Sequence, residues 1–94
     1  MRLLWTPEAI RDRAAIDDHI EADNPAAALA MDELLAENAA RLLDHPRLGW
    51  PGRVAGTREL EAHHNYILID DIAGERVRVL RVLHAARQWP PDVK

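Results

Sequence analysis

The second half of the chain carries a set of arginine and histidine residues that could act on a phosphodiester. Its members are Arg53, Arg58, Arg76, Arg78, Arg81, His84 and Arg87. Arginine holds phosphates and carboxylates through a bidentate fork, and histidine changes charge near neutral pH. A cluster of both could therefore move a proton while stabilising a charged transition state. On a regular strand Arg76, Arg78 and His84 would share one face, and Arg81 would lie on the other. The alternative is that these arginines form salt bridges with acidic residues of the helices.

Other kinds of chemistry lack the residues they need. The sequence contains no cysteine and no serine, which excludes disulfides, thiol nucleophiles and a serine-based triad. No strand precedes Gly49, Gly52 and Gly56 and no helix follows them, so we interpret them as turn residues rather than a phosphate loop. His63 and His64 are adjacent, and neighbouring side chains on a strand point to opposite faces. We therefore expect no metal site and no cofactor.

Length and composition indicate one globular domain over residues 1–94. Hydrophobic residues make up 48% of the chain and charged residues 30%. Residues 1–46 carry four arginines and ten acidic residues, which gives a net charge of −6. Residues 47–94 carry seven arginines, one lysine and six acidic residues, which gives a net charge of +2. This asymmetry is consistent either with a partner for the second half or with a mixed, solvated surface. The longest apolar stretch, at 25–31, is far shorter than the roughly 20 residues of a membrane span, and we expect a cytoplasmic protein without membrane contact.

Two helices follow a short apolar strand at residues 2–5. Thr6 and Pro7 are typical of a helix start, and the apolar spacing predicts an amphipathic helix over about 7–22. Asn24 and Pro25 repeat the same signal. Residues 26–44 contain no glycine and no β-branched residue, which favours a second helix. The tight link between the two helices predicts an antiparallel helical hairpin.

Three strands are predicted after a loop at 45–56. They cover residues 57–62, 66–72 and 76–83, with a hairpin turn at 73–75. The alternation of the last strand is regular through Val79 and then slips, which indicates a central strand buried on both faces or a β-bulge. The element order predicts an α+β fold in which the hairpin packs on one face of a largely antiparallel sheet. We expect one buried cluster made of Ile16, Ile20, Met31, Leu35, Leu42, Ile67, Ile69, Val79 and Leu83.

Four stretches in this order resemble the RelE/ParE toxin superfamily of type II toxin–antitoxin modules. They are Trp-Thr-Pro-Glu-Ala at 5–9, Asp-Asn-Pro at 23–25, Gly-Arg-Val-Ala-Gly-Thr-Arg-Glu-Leu at 52–60 and Arg-Val-Leu-His-Ala-Ala-Arg-Gln-Trp-Pro at 81–90. The Gly-Thr-Arg-Glu-Leu segment and the closing Leu-His-x-x-x-Gln-Trp-Pro are similar to the ParE-like, plasmid-stabilisation branch. The resemblance implies a toxin that a cognate antitoxin neutralises, by coupled folding of a chain that wraps across more than one face.

The superfamily contains two activities, and the resemblance implies one of them here. ParE-like toxins poison DNA gyrase without a catalytic step, whereas RelE-like toxins cut mRNA on the ribosome. The nucleases use a strongly basic surface and a Tyr or His near the C-terminus. This chain has His84 but no internal lysine, and its Tyr66 lies on an earlier strand. Its Asp70-Asp71 pair also departs from the Tyr and Arg usual in such strands. We therefore expect the ParE-like activity.

Each alternative uses a different part of the arginine and histidine set. A nuclease would use His84, Arg58 and Arg81 as its catalytic residues. Binding of the target or of the antitoxin would use Arg53, Arg58, Arg87 and Trp89. A third alternative is a toxin-fold protein that has lost its activity and survives as a binding partner. The sequence leaves open whether the chain forms a homodimer.

Overall fold

Two helices and five strands make up the structure, a computed structural model that describes residues 1–91. The elements are β1 (Arg2–Trp5), α1 (Pro7–Glu21), α2 (Pro25–Asp44), β2 (Trp50–Pro51), β3 (Arg58–His63), β4 (Tyr66–Ala73) and β5 (Arg76–His84). Both helix starts form as predicted. The Thr6 hydroxyl accepts a hydrogen bond from the Ala9 N–H at 3.1 Å, and the Asn24 side chain accepts one from Ala27 N–H at 3.1 Å.

The strands form a single mixed sheet in the order β1-β5-β4-β3-β2. β1 runs parallel to β5, and the other neighbouring strands are antiparallel. The helical hairpin packs on one face of this sheet, which confirms the predicted α+β fold. We call the face toward the helices the inner face and the opposite one the outer face.

The two-residue strand β2 lies within the segment predicted to be a loop. Trp50 pairs with Glu59 and Pro51 pairs with Arg58. Gly49 makes this pairing possible, because a Cβ at this position would lie 2.3 Å from the Glu59 carbonyl oxygen, and its φ is +91°. So short a strand has no periodicity that a sequence could reveal.

The slip in the alternation of β5 is a β-bulge at Leu80. Ile69 pairs with Arg81 and Asp70 pairs with Val79, so Leu80 is the extra residue. The Thr6 hydroxyl donates a hydrogen bond to the Leu80 carbonyl at 2.8 Å and holds the bulge against the start of α1.

The bulge shifts the alternation for the rest of β5. The prediction that Arg76, Arg78 and His84 share a face is therefore wrong. His84 pairs with Tyr66 of the inner face, whereas Arg76 and Arg78 alternate with the buried, inner-facing Val77 and lie on the outer face.

The buried residues form two clusters, so the prediction of a single cluster is wrong. Leu35, Leu42 and Val79 belong to the inner cluster, with Ile16 and Met31 partly buried beside it. The outer cluster consists of Ile67, Ile69 and Leu83, covered by Leu80 and Trp89. The sheet separates them because successive side chains of a strand point to opposite faces. Ile20 is half-buried and belongs to neither cluster.

Candidate functional site

Arg58 lies at the start of β3, directly opposite Asp70 of β4. Both side chains project from the inner face, where Leu60 and Leu68 continue the same two rows. The Arg58 Nη2 donates to the Gly49 carbonyl at 3.1 Å and so anchors the segment before β2. Within residues 1–91, Arg58 Nε and both Asp70 carboxylate oxygens are buried and have no hydrogen-bond partner.

Burial raises the pKa of Asp70 to about 7. The Arg58 guanidinium lowers this pKa and the neighbouring Asp71 carboxylate raises it, but both effects are smaller than the loss of hydration. Asp71 itself accepts a hydrogen bond from Arg78 Nε at 2.8 Å on the outer face. Asp70 is therefore a carboxylic acid that loses its proton near neutral pH, facing an arginine that it does not hydrogen-bond.

Arg81 is bound to α1 rather than free. Its Nε and Nη2 donate to the two carboxylate oxygens of Asp12 at 2.7 and 3.1 Å, and the Val82 N–H donates to the same carboxylate at 2.9 Å. β1 pairs with β5 only as far as Val79. Beyond Val79, the Asp12 carboxylate takes the place of a neighbouring strand by accepting the hydrogen bond of the Val82 N–H. The hydrogen bond to Asp12 raises the pKa of Arg81 and keeps it cationic.

His84 is exposed at the end of β5 and stands beside Tyr66, with ring centroids 5.4 Å apart in an edge-on arrangement. Its Nδ1 accepts a hydrogen bond from the Ala86 N–H at 3.1 Å. A neutral His84 ring therefore carries its proton on Nε2, where it can donate a hydrogen bond but cannot accept one. The two rings border a groove of about 240 Å³ that is also lined by Asp12, His19 and Arg87.

The contact between Tyr66 and His84 depends on the bulge in β5. A regular hairpin would place Tyr66 opposite Leu83, because Ala73 pairs with Arg76 and each step along β4 matches one step along β5. The extra residue at Leu80 moves the partner to His84. The slip in the hydrophobic alternation was the only signal of this shift.

The predicted binding residues differ in how much they are engaged. Arg53 donates from its backbone N–H and its side chain to the buried Glu59 carboxylate, at 2.9 Å from the backbone and 3.0 Å from Nη2. This interaction lowers the pKa of Glu59. Arg87 is exposed, and Trp89 packs on the outer cluster with the Arg81 guanidinium 5.6 Å from its ring centroid. Their role in binding stays a prediction.

The three predicted catalytic residues are not brought together. Arg58 lies opposite Asp70, whereas His84 lies opposite Tyr66. Asp70 and Tyr66 are separated by four steps along β4, or about 13 Å at the usual rise of a strand. Arg81 pairs with Ile69 of the outer cluster, so its side chain leaves the other face of the sheet from Arg58 and His84, and it is paired with Asp12.

The paired histidines also differ from expectation. The rings of His63 and His64 lie 4.0 Å apart, so the prediction that they point to opposite faces is wrong. β3 ends at His63, and His64 belongs to the following turn, where strand alternation does not apply.

Within residues 1–91, no group of three or more histidine, aspartate or glutamate side chains is arranged to hold a metal ion. No helix in this part of the chain is long and apolar enough to span a membrane.

The fold and its sequence relatives define a class of small toxins. The sequence pattern of the family described as "ParE toxin of type II toxin-antitoxin system, parDE" matches residues 3–89. The chain is 35% identical over 89 residues to "Putative toxin Y4kP" of Sinorhizobium fredii, covering 95% of this chain and 93% of the relative. It is 34% identical over 86 residues to "Toxin RelE2" of Caulobacter vibrioides, covering 92% and 97%.

Solved structures agree with the sequence relatives. The chain superposes on a structure titled "Chromosomal ParDE TA system from P. aeruginosa" with a TM-score of 0.79 and 28% identity, over 89% of this chain and 95% of that one. A "YoeB/ParE toxin from Agrobacterium tumefaciens" has the same fold, with a TM-score of 0.63 and 17% identity, over 89% and 98%. The protein is therefore a toxin of a type II toxin–antitoxin system. It belongs to the ParE toxin family, which confirms the resemblance and implies a cognate antitoxin.

Proposed function

We propose that this toxin acts in the cytoplasm by binding DNA gyrase stoichiometrically, without a catalytic step. The observation that carries the proposal is the separation of His84, Arg58 and Arg81, which a nuclease would need around one phosphate. Arg58 lies opposite Asp70, four residues along β4 from Tyr66, the residue that faces His84, and Arg81 is paired with Asp12 at 2.7 Å. Cleavage of a phosphodiester requires the acid or base and the cation within hydrogen-bonding distance of the same group.

The state of His84 supports the same proposal. A general base must offer an unprotonated nitrogen to the attacking hydroxyl. The Nδ1 of His84 is occupied by the Ala86 N–H, and the exposed Nε2 carries the proton of the neutral ring. Action as a base through Nε2 would therefore require a change of tautomer and loss of the hydrogen bond to Ala86.

Charge also favours a protein target over a nucleic acid. The chain has a net charge of −4 at pH 7, which opposes long-range attraction to ribosomal RNA. Arg87 is exposed beside the tail that carries Trp89, and Arg53 keeps about half of its side chain exposed although it pairs with Glu59. We place the contact with gyrase on the surface around Arg87 and Trp89.

The second candidate is a ribosome-dependent mRNA endonuclease, and one observation favours it. Tyr66 and His84 are in contact, and with His19 and Arg87 they line the 240 Å³ groove against α1. This arrangement places two aromatic groups that can transfer protons near an exposed cation. It would need the change of tautomer described above before His84 could act as a base through Nε2.

Two assays with the same purified protein separate these functions. We expect the toxin to inhibit supercoiling by gyrase at a ratio on the order of one toxin per gyrase, and to leave mRNA on programmed ribosomes intact. Arg87→Ala should weaken the inhibition, whereas Arg11→Ala, an exposed arginine on α1, is the matched control and should not. Cleavage of mRNA without an effect on gyrase would replace this proposal with the nuclease, and inactivity in both assays would favour the inactive binding protein.

A further inference from the structure

Arg58 has two groups within its surroundings that could accept its hydrogen bonds, and it uses one of them. Its Nη2 donates to the Gly49 carbonyl at 3.1 Å, which is the one hydrogen bond that its side chain makes within residues 1–91. Asp70 lies directly opposite Arg58 in the register of β3 and β4. The Nε of Arg58 and both carboxylate oxygens of Asp70 are buried without a partner in this part of the chain. One donor and two acceptors are therefore left unused at neighbouring positions of the sheet.

Asp70 must be uncharged in this arrangement. Its exposed fraction is 0%, and its partner in β5 is the apolar Val79. A buried carboxylate without a hydrogen-bond donor is far less stable than the protonated acid. The raised pKa of Asp70, about 7, has the same cause. Ionisation of Asp70 is therefore favourable only if a donor reaches the carboxylate.

Arg58 is the cation placed to be that donor. Among the described residues, the charged groups that act on Asp70 are Arg58 and Asp71, and Asp71 is paired with Arg78 on the outer face. The helices and β1 contribute apolar side chains to the inner cluster. From the N-terminus and the loop after α2, titratable or charged residues line the depressions beside Arg58: Met1, Asp44, His45 and Arg47. Each of these is exposed, whereas Asp70 is not.

The other arginines of this chain indicate how Arg58 would pair with a carboxylate. Four of them donate from Nε and Nη2 together to a single carboxylate group: Arg13, Arg53, Arg78 and Arg81. Such two-pronged pairs are among the strongest hydrogen-bonded interactions in proteins. In Arg58 the Nε is unused, but the Nη2 is held by Gly49. The same arrangement toward Asp70 therefore requires the bond to Gly49 to break.

We propose that Arg58 is a pH-dependent switch, which binds the Gly49 carbonyl when Asp70 is protonated and the Asp70 carboxylate when it is ionised. Pairing offsets only part of the cost of ionisation, because the charge stays buried and the Gly49 carbonyl loses its donor. The transition is therefore expected above 3.8, the ordinary pKa of an aspartate, and no higher than about 7. The switch is built into the fold and does not depend on the target of the toxin.

Release of Gly49 would loosen the segment that leads into β2. This strand has only two residues, Trp50 and Pro51, and both pair with β3. A strand with so few contacts opens locally at little cost in free energy. Above the transition, β2 is therefore expected to separate from β3 more often. Trp50 follows Gly49 in the sequence and is 47% exposed, so its signals report the change.

NMR spectroscopy of the full chain between pH 4 and pH 9 tests the switch. The signals to follow are the carboxyl carbon of Asp70, the Nε–H of Arg58, and the backbone and indole N–H of Trp50. We expect one common midpoint for all of them, and a downfield shift of the Arg58 Nε–H as it gains an acceptor.

Two variants that each remove one titratable group assign the transition. Asp70→Asn should abolish it at Arg58 and Trp50, because the amide cannot ionise. His45→Gln is the matched control and should leave it in place. His45 is exposed in an adjoining depression, and histidine also changes charge near neutral pH.

Three results would overturn the switch. Titration of Asp70 with unchanged Arg58 and Trp50 signals would mean that the carboxylate ionises without drawing Arg58 from Gly49. A transition at Trp50 that persists in Asp70→Asn, or that His45→Gln removes, would assign it to another group. An Asp70 carboxyl that stays ionised down to pH 4 would mean that Arg58 is its permanent partner. Each of these results leaves the proposed function intact.

Discussion

Replacing Asp70 by Asn should stabilise the protein at alkaline pH and leave its stability at acidic pH unchanged. Asp70 is fully buried, its carboxylate has no hydrogen-bond partner within residues 1–91, and its pKa is raised to about 7. Asparagine has nearly the same shape as a protonated aspartate but cannot ionise. The substitution therefore removes only the cost of burying the charge.

The sign and size of the effect follow from the two pKa values. The folded protein keeps the Asp70 proton up to about pH 7, whereas the unfolded chain loses it near 3.8. The free energy of unfolding of the natural protein therefore falls as the pH rises through this interval, by about 1.4 kcal/mol per pH unit. Summed over about three units, Asp70→Asn should gain up to about 4 kcal/mol at pH 8 and almost nothing at pH 3. This is an upper bound, because movement of Arg58 toward the carboxylate would reduce the gain.

Urea unfolding at several pH values measures this directly. The quantity of interest is the difference in unfolding free energy between Asp70→Asn and the natural protein, since contributions of other titrating groups cancel in it. Asp18→Asn, on an exposed part of α1, controls for the loss of one negative charge. If Asp70→Asn instead lost stability at pH 8, the carboxylate would be a satisfied partner of Arg58 and the reasoning would be refuted.

Two further changes test the core and the capped edge of β5. Leu35→Ala should lower the free energy of urea unfolding by about 2–5 kcal/mol, because Leu35 is 1% exposed in the inner cluster. The control Leu29→Ala, at a 61% exposed site, should lower it by less than about 0.5 kcal/mol. A comparable loss at both positions would contradict the packing. Asp12→Asn should cost about 1–3 kcal/mol by removing the charge that holds Arg81 and the Val82 N–H, with Asp18→Asn as its control. A stability unchanged by Asp12→Asn would mean that α1 is held by other contacts.

Local signals in the sequence predicted most elements of the fold. The Thr6-Pro7 and Asn24-Pro25 pairs located both helix starts, and the slip after Val79 located the bulge. The face on which each residue lies after the bulge was predicted wrongly, because periodicity alone does not say which residue is the extra one. The strand β2 was missed because two residues have no period.

The candidate site was harder to predict, because its contacts join residues far apart in the sequence. Asp12 and Arg81 are 69 positions apart, and no local pattern links an acid of the first helix to an arginine of the last strand. Asp70 was recognised as a departure from related strands, but its burial opposite Arg58 depends on the register of β3 and β4. The resemblance to a toxin family supplied the function class, which the Arg and His set alone did not.

The effect of His84→Gln on the two activities tests the central claim most directly. A mechanism by binding needs no proton transfer, so the variant should inhibit gyrase supercoiling at the same ratio as the natural protein. A nuclease that uses His84 as its acid or base would lose roughly 10²–10⁴-fold in its rate of mRNA cleavage on ribosomes. Unchanged gyrase inhibition by His84→Gln is the result we predict. The contrary result has two parts: the natural protein cleaves ribosome-bound mRNA and His84→Gln does not, and neither protein inhibits gyrase. This result would contradict a mechanism by binding.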